Sequence, residues 1–393
     1  MGHVVSEAQR LIMLPGPTNV PPRVMRAMLK PLIGHRGPEF KQLHGELLEK
    51  IKMVFETKDD VFILTSSGTG ATECALQNIT DDGDKIIVTV NGFFSERLSE
   101  AIRAYGGKLE TINSDWGKAP KIEDFRRTLK AHPDAKALAV VYNETSTGVT
   151  IRCIEELSEL CADQDILLMV DAISILGGDK LPVDEWKVDL CVTDSQKCLM
   201  CPPGLSFISV SKKAWSMIES KKSHRSYYFD LRMWKKYQEE GYTPFTPSVP
   251  LFYALSEACD MILEEGLARR YERHRICAQA VYESMESMGL GLLAEDEARS
   301  NTVAAIESPS GIDEGKVREL IRTKYGIGLG GSLGQLKGKM FRVGVMGNVG
   351  SSEIMTTVSA IGSACAELGF KARISEGLEA AREMLSRLPG KMS

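Results

Sequence analysis

Between positions 61 and 210 seven short apolar runs follow one another, at 61–64, 86–90, 109–112, 137–142, 166–170, 189–193 and 205–210. Several segments between them carry apolar residues at helical spacing, as at Leu76 and Ile79, at Leu98, Ile102 and Tyr105, and at Ile154, Leu157 and Cys161. Strand, helix and strand in series predict an α/β fold with a mostly parallel seven-stranded sheet, helices on both faces and right-handed crossovers. Ligands of such sheets collect beyond the carboxyl ends of the strands, so the residues just after each run carry the functional reading.

Ahead of the sheet, Phe40, Leu43, Leu47, Ile51, Val54 and Phe55 mark a helix that follows a Pro-rich stretch at 14–22. Beyond it, 237–250 is rich in Pro, Gly and Thr and reads as a loop, and 253–288 as one or two long helices. The remainder, with 301–307, a helix around 315–325, a strand at 340–346 and a helix from Ser352, reads as a smaller α+β domain. The expected organisation is an N-terminal segment at 1–22, a large domain at 23–260 and a small one at 261–393. A length of 393 residues with 43% hydrophobic content supports that much core.

Charge narrows the partners. Lys and Arg number 48 against 53 Asp and Glu, a net charge of −5, so no cationic field draws the chain to nucleic acid or to an anionic membrane surface. The longest apolar runs are strand-length, far short of the roughly 20 residues a bilayer span needs. Residues 1–10 are polar and lack the order of a signal peptide, which makes a cytoplasmic location the expectation. Nine cysteines, an odd number, fit a reducing compartment.

Three features at strand ends carry chemistry. The first run is followed by Thr65-Ser66-Ser67-Gly68-Thr69-Gly70 and a helix read from Ala71; small hydroxyls and glycines at a helix start suit a phosphate, although an ordinary capped helix reads the same way. No Lys stands in that turn, so the nucleotide P-loop pattern fails, and the glycines at 328–334 miss the dinucleotide spacing by one residue. The fifth run ends in Asp171 and the sixth in Ser195-Gln196-Lys197, which sets a carboxylate and an amine beside the phosphate turn. Alone, Asp171 reads equally as a cap and Lys197 as a surface lysine. Together the three match what pyridoxal 5′-phosphate needs: an amine for its aldehyde, a carboxylate for its pyridine nitrogen and an anion site.

With these residues the chain resembles the class V, fold-type I pyridoxal-phosphate aminotransferases, particularly the alanine–glyoxylate, serine–glyoxylate and serine–pyruvate group. The matching segments include Leu14-Pro15-Gly16-Pro17-Thr18, Ser67-Gly68-Thr69, Asn143-Glu144-Thr145-Ser146-Thr147-Gly148, Val170-Asp171, Ser195-Gln196-Lys197, Pro202-Pro203-Gly204 and Arg342-Val343-Gly344. The resemblance implies a homodimer acting by ping-pong transfer from serine, alanine or aspartate to pyruvate or glyoxylate. It gives Lys197 the covalent link to the cofactor and the proton shuttle, and Asp171 the pyridinium. Ser67, Gly68, Thr69 and Gln196 would hold the phosphate, Thr145 the ring hydroxyl, and Phe94 and Ile173 would also bind the cofactor, Phe94 by stacking. Ser248 would supply a hydroxyl across the dimer.

Arg342 is a lone charge in an apolar strand, which suits either an ion pair or the α-carboxylate of an amino acid; the resemblance favours the carboxylate. Arg36, in Gly34-His35-Arg36-Gly37, either binds a second substrate carboxylate or pairs on the surface with an acid such as Glu39. The chain departs from its relatives at Thr69, where some have His, at Phe245, where a Tyr is frequent, and at Asp194, where Gly is common. Cys198 and Cys201 form a Cys-x-x-Cys without a second ligand pair, so they read as buried small hydrophobes and no metal is expected. A cysteine desulfurase or other pyridoxal-phosphate lyase on the same fold is the enzyme alternative, and an inactive scaffold a further one. The only cysteine beyond Cys277 is Cys365, in an apolar helix pattern, which argues against the desulfurase.

Overall fold

The structure is a computed structural model, which describes residues 11–221 and 225–389; the polar start at 1–10 lies outside the described residues. The strands are β1 (Leu11–Met13), β2 (Asp60–Leu64), β3 (Lys85–Val90), β4 (Lys108–Asn113), β5 (Ala137–Val141), β6 (Asn143–Glu144), β7 (Val149–Thr150), β8 (Leu167–Asp171), β9 (Leu190–Asp194), β10 (Ser206–Val210), β11 (Val303–Glu307), β12 (Ile327–Gly331) and β13 (Met340–Gly344). All seven apolar runs between 61 and 210 are strands of one sheet, in the order β2-β10-β9-β8-β5-β3-β4. Only β10 is antiparallel to its neighbours, β2 and β9. The carboxyl ends of β2, β3, β5, β8 and β9 therefore lie along one edge.

Burial explains the unbroken apolar runs. Along β2, Ile63 packs into one core while Phe62 and Leu64 pack into another on the opposite face; β5 divides Leu138 and Val140 from Ala137 and Ala139 in the same way. A strand covered by helices on both faces keeps its period of two in direction but loses it in polarity. A four-stranded sheet, β1-β12-β13-β11, holds a third core around Phe341, Val343 and Val358. Here β1 runs parallel to β12, so the chain's start joins the sheet built mainly from its last third.

Some boundaries differ from the sequence reading. The region read as a helix of one or two pieces is two helices, Val249–Glu265 and Leu267–Met288, broken at Gly266. The loop read over 237–250 is shorter, because Leu231–Glu239 is helical and the next helix takes Pro250 into its first turn, where a missing N–H costs nothing. The helix after β2 starts at Gly68 rather than Ala71, and Ser195, Gln196 and Lys197 follow the end of β9 rather than ending the strand.

Candidate active site

A cavity of about 340 Å³ opens at the shared carboxyl edge of the large sheet. Its lining includes Ser67, Gly68, Thr69, Phe94, Thr145, Asp171, Ile173, Gln196 and Lys197, nine of the residues singled out in the sequence. They come from the segments after β2, β3, β5, β8 and β9, which the parallel topology gathers from across 131 positions of chain, 67 to 197.

The turn read as a phosphate site is the start of the Gly68–Ile79 helix. Ser67, its N-cap residue, has extended backbone and makes no side-chain cap; the Gly70 N–H bonds to the Ser67 carbonyl, while those of Gly68 and Thr69 have no backbone acceptor among the described residues and face the cavity end of the helix, as a site for an anion requires. Gly68 is needed for close approach: a Cβ there would lie 2.7 Å from Ile173 Cδ1 and 2.8 Å from Asp194 Oδ2.

Asp171 ends β8, and its Oδ1 accepts a hydrogen bond from the Ile173 N–H at 3.0 Å. Burial pushes its carboxyl group up to about 6, against the pull of that bond and of Lys197. A half-buried carboxylate with a single backbone donor has acceptor capacity left for a cation. Lys197 donates from Nζ to the Pro15 carbonyl at 3.1 Å, and Nζ lies 5.9 Å from the centroid of the Phe94 ring. The Pro-rich stretch is shaped around it. Gly16, at φ +94°, would place a Cβ 2.8 Å from Lys197 Cε, so a side chain there would fill the lysine's place. Thr18 holds the following backbone, donating from Oγ1 to the Lys197 carbonyl at 3.1 Å.

Phe94 sits in the first turn of the Phe93–Ala104 helix, edge-on to Phe93. Thr145 donates from Oγ1 to Ser174 Oγ at 2.8 Å, which leaves its oxygen free to accept from a ligand. Arg342 donates from Nε and Nη2 to the Gly331 carbonyl and from Nη1 to the Thr145 carbonyl at 3.0 Å. Three of its five N–H groups are thus used, and burial pulls its pKa down to about 10 against the raising influence of Glu144. It stands behind Thr145, outside the cavity lining.

Residues 12–337 match the family described as Aminotransferase class-V. The chain belongs to the class-V aminotransferases. It is 43% identical to an uncharacterized aminotransferase of Methanocaldococcus jannaschii over 97% of this chain and 99% of that one. It is 39% identical to a protein of a Synechococcus species named as the small subunit of a soluble hydrogenase, over 92% and 94%. A serine–glyoxylate aminotransferase of Methylorubrum extorquens is 36% identical over 96% of each chain. Among solved structures, the ureidoglycine–glyoxylate aminotransferase of Bacillus subtilis superposes with a TM-score of 0.91 at 30% identity, over 96% of this chain and 98% of that one. The alanine–glyoxylate aminotransferase of a Nostoc species gives 0.88 at 33% identity, over 93% and 97%.

This class-V aminotransferase therefore uses pyridoxal phosphate. Its donor set fits the group: an uncapped helix start for the phosphate, an amine for the aldehyde, and a carboxyl group that desolvation raises and a pyridinium would pair with.

Besides Arg342, two further site residues expected from the sequence, Arg36 and Ser248, are not in the cavity of their own chain. Arg36 donates to the carbonyls of Thr243 and Pro244 and lies over the rings of Tyr237 and Tyr242, 5.3 Å and 5.8 Å from their centroids. Its forked donors are taken by a loop 207 residues away, and Glu39 is not its partner. Ser248 is the N-cap residue of the Val249–Glu265 helix and does not line the cavity. Phe245, where relatives frequently have Tyr, stacks on Tyr228 with centroids 4.7 Å apart.

Other residues around the site have roles that their sequence neighbourhood does not announce. Glu144, fully buried, accepts from the N–H groups of Phe94 at 3.2 Å and Ser95 at 2.8 Å and from Ser146 Oγ at 2.6 Å. It caps the helix that carries Phe94 and so positions that ring. Arg270, also buried, donates to the carbonyls of Gly177 and Cys198 and pairs with Glu265 at 2.8 Å, which pins the chain just after Lys197. An Arg-Arg pair in a long helix does not announce that. Arg97 lines the cavity 5.2 Å from the Phe94 centroid. Cys198 and Cys201 are buried and unpaired, and burial pushes the Cys198 thiol up to about 12, which keeps it protonated and unreactive. Cys365 is buried inside the Ser351–Glu367 helix, away from any surface a mobile nucleophile needs.

Proposed function

We propose that this class-V aminotransferase moves the amino group of a small amino acid, serine, alanine or aspartate, to glyoxylate or pyruvate, with Lys197 and Asp171 at its centre. The observation that carries the reading is the single cavity lined by the Lys197 amine, the Asp171 carboxylate and the uncapped start of the Gly68–Ile79 helix. Relatives named for serine and alanine with glyoxylate support the substrate class.

Pyridoxal phosphate supplies an aldehyde carbon for the amino group and a ring that accepts electrons from the substrate Cα. The Gly68–Ile79 helix start, with Ser67, Thr69 and Gln196, would hold the phosphate, and Phe94 and Ile173 would hold the ring. Asp171 would pair with the pyridine nitrogen, and Thr145 would accept from the ring hydroxyl. Lys197 Nζ would take and return the proton of the substrate Cα, and the two free N–H groups of Arg342 would be the donors for the substrate carboxylate. Mixing the purified protein with amino acids one at a time tests the reading. Serine and alanine should convert bound cofactor to its pyridoxamine form, read by absorbance, and glyoxylate or pyruvate should reverse the change. An unchanged spectrum with every small amino acid would refute it.

The reading includes a cytoplasmic homodimer. Support comes from the exposed apolar residues Leu29 (82%) and Leu32 (73%) and from the position of the Ser248 loop outside its own cavity. Mixed dimers of a Lys197→Ala subunit with a Ser248 loop-disrupted subunit should regain one working site. An active monomer by sedimentation would remove the dimer. No described helix is long and apolar enough to cross a membrane.

A further inference from the structure

Asp194 ends β9 beside the phosphate turn, and nothing in the aminotransferase chemistry above uses it. It lines the cavity yet is only 2% exposed. One carboxyl oxygen, Oδ2, accepts from Gln196 Nε2 at 2.5 Å and lies against Gly68, where a Cβ would come within 2.8 Å of it. The other, Oδ1, is buried with no hydrogen-bond partner. A carboxylate in this place shares the start of the Gly68–Ile79 helix with the anion that the helix is built to hold. Two anions at one helix start repel, and a buried oxygen without a partner is itself costly. Both problems vanish if the group carries a proton: the carboxyl is then neutral and becomes a donor.

We propose that Asp194 is a proton-coupled phosphate ligand, which is protonated when the cofactor's phosphate is bound and donates a hydrogen bond to a phosphate oxygen, so that cofactor binding takes up one proton from solvent. The proposal rests on the placement of the phosphate at the Gly68–Ile79 helix start. Burial already pushes the Asp194 carboxyl up to about 7 in the ligand-free chain, with Asp171 on the adjacent β8 raising it further and Lys197 and Gln196 opposing. The groups facing it are those of Lys197, Asp171 and Gln196, with the Cys198 thiol also within electrostatic reach and held protonated by burial. On the turn and β10 side, Ser66 and Ser206 bond each other through their hydroxyls at 2.6 Å. A bound phosphate dianion moves the Asp194 carboxyl up again.

The test uses the full chain freed of cofactor and pyridoxine 5′-phosphate, which lacks the aldehyde and cannot react with Lys197. Its dissociation constant should rise by about tenfold per pH unit above neutrality, beyond the change measured for Asp194→Asn, whose amide imitates the protonated acid. Calorimetry at pH 8 in buffers of different ionisation enthalpy should show nearly one more proton taken up by the wild-type protein than by the variant. Unphosphorylated pyridoxine should show no such difference. Parallel pH profiles and equal proton uptake would overturn the proposal. Asp194→Gly serves if the Asn variant does not fold and should also abolish the extra pH dependence. Ser67→Ala separates the two levels of the argument. If it leaves pyridoxine 5′-phosphate affinity untouched, the phosphate is elsewhere and both readings fall; if it weakens binding while the Asp194 profiles stay parallel, only the proton coupling falls.

Discussion

β8 and β9 are neighbours, and each ends in an aspartate at the rim of the same cavity, Asp171 half-buried and Asp194 buried. Asp171 has a backbone donor from Ile173, and in the proposed function a protonated pyridine would stabilise its charge. Asp194 has a side-chain amide on one oxygen, none on the other, and lies against the start of the Gly68–Ile79 helix, the proposed anion site. Burial raises both, to about 6 and about 7. Under the proposed chemistry the same residue type, half-buried at Asp171 and buried at Asp194, is driven in opposite directions by what binds next to it: Asp171 towards the carboxylate, Asp194 towards the acid. Burial makes a carboxyl group adjustable, and the ligand's charge decides its state.

The sharpest way to break the comparison is to remove one charge at a time. Asp171→Asn should slow single-turnover loss of the substrate Cα proton by on the order of a hundredfold or more, the range of groups that govern proton transfer, with a much smaller change in substrate affinity. Asp194→Asn, assayed with saturating cofactor, should slow the same step by less than about tenfold. Equal losses would show that the two aspartates do one job.

Arg342 bounds the comparison on the substrate side. Arg342→Ala removes a charge-assisted pair worth roughly 1.5–3 kcal/mol, about ten- to a hundredfold in kcat/KM for alanine, and should leave pyridoxine 5′-phosphate binding intact. A loss of cofactor binding in this variant would show that its bonds to Gly331 and Thr145 are its main work.

A third effect is on stability. Both aspartates have pKa values raised above the ordinary carboxylate value near 3.8 in the folded, ligand-free chain. Each then contributes stability that is present in acid and lost as pH rises through about 6 to 7, because the folded state holds its proton longer than the unfolded one. The thermal midpoint of ligand-free protein should fall between pH 5 and pH 8, and Asp194→Asn should flatten the upper part of that fall. A midpoint difference between variant and parent that does not change with pH would contradict the assigned burial.

The smallest effect concerns Arg36. Because its donors are taken by Thr243 and Pro244, Arg36→Ala should lower kcat/KM for aspartate and alanine by the same modest factor, through the loop that it holds. A loss confined to aspartate would return Arg36 to the substrate, as the sequence suggests.

Why these residues differ in legibility is a matter of range. The sheet could be read because each buried parallel strand writes itself as a local apolar run, and Ser67, Asp171 and Lys197 because they stand directly after such runs. Arg36 could not, since its partners are more than 200 residues away and an exposed-looking Gly-His-Arg-Gly gives no sign of them. Glu144 stood in a recognisable motif, but its role as the cap of the helix carrying Phe94 joins two segments 50 residues apart. Pro250 misled in the other direction: proline usually marks a loop, and only the helix geometry shows that it occupies the first turn. Asp194 was visible as a departure from relatives, while its orphaned oxygen depends on the packing of Gly68 and Gln196 around it.

The account as a whole stands on one covalent attachment. Borohydride reduction of the cofactor-loaded protein, followed by peptide mapping, should find the pyridoxyl group on the peptide containing Lys197, and Lys197→Ala should yield no reduced adduct. Recovery of the group on Lys180 or Lys212, or an unaltered yield from the Lys197→Ala variant, would contradict it.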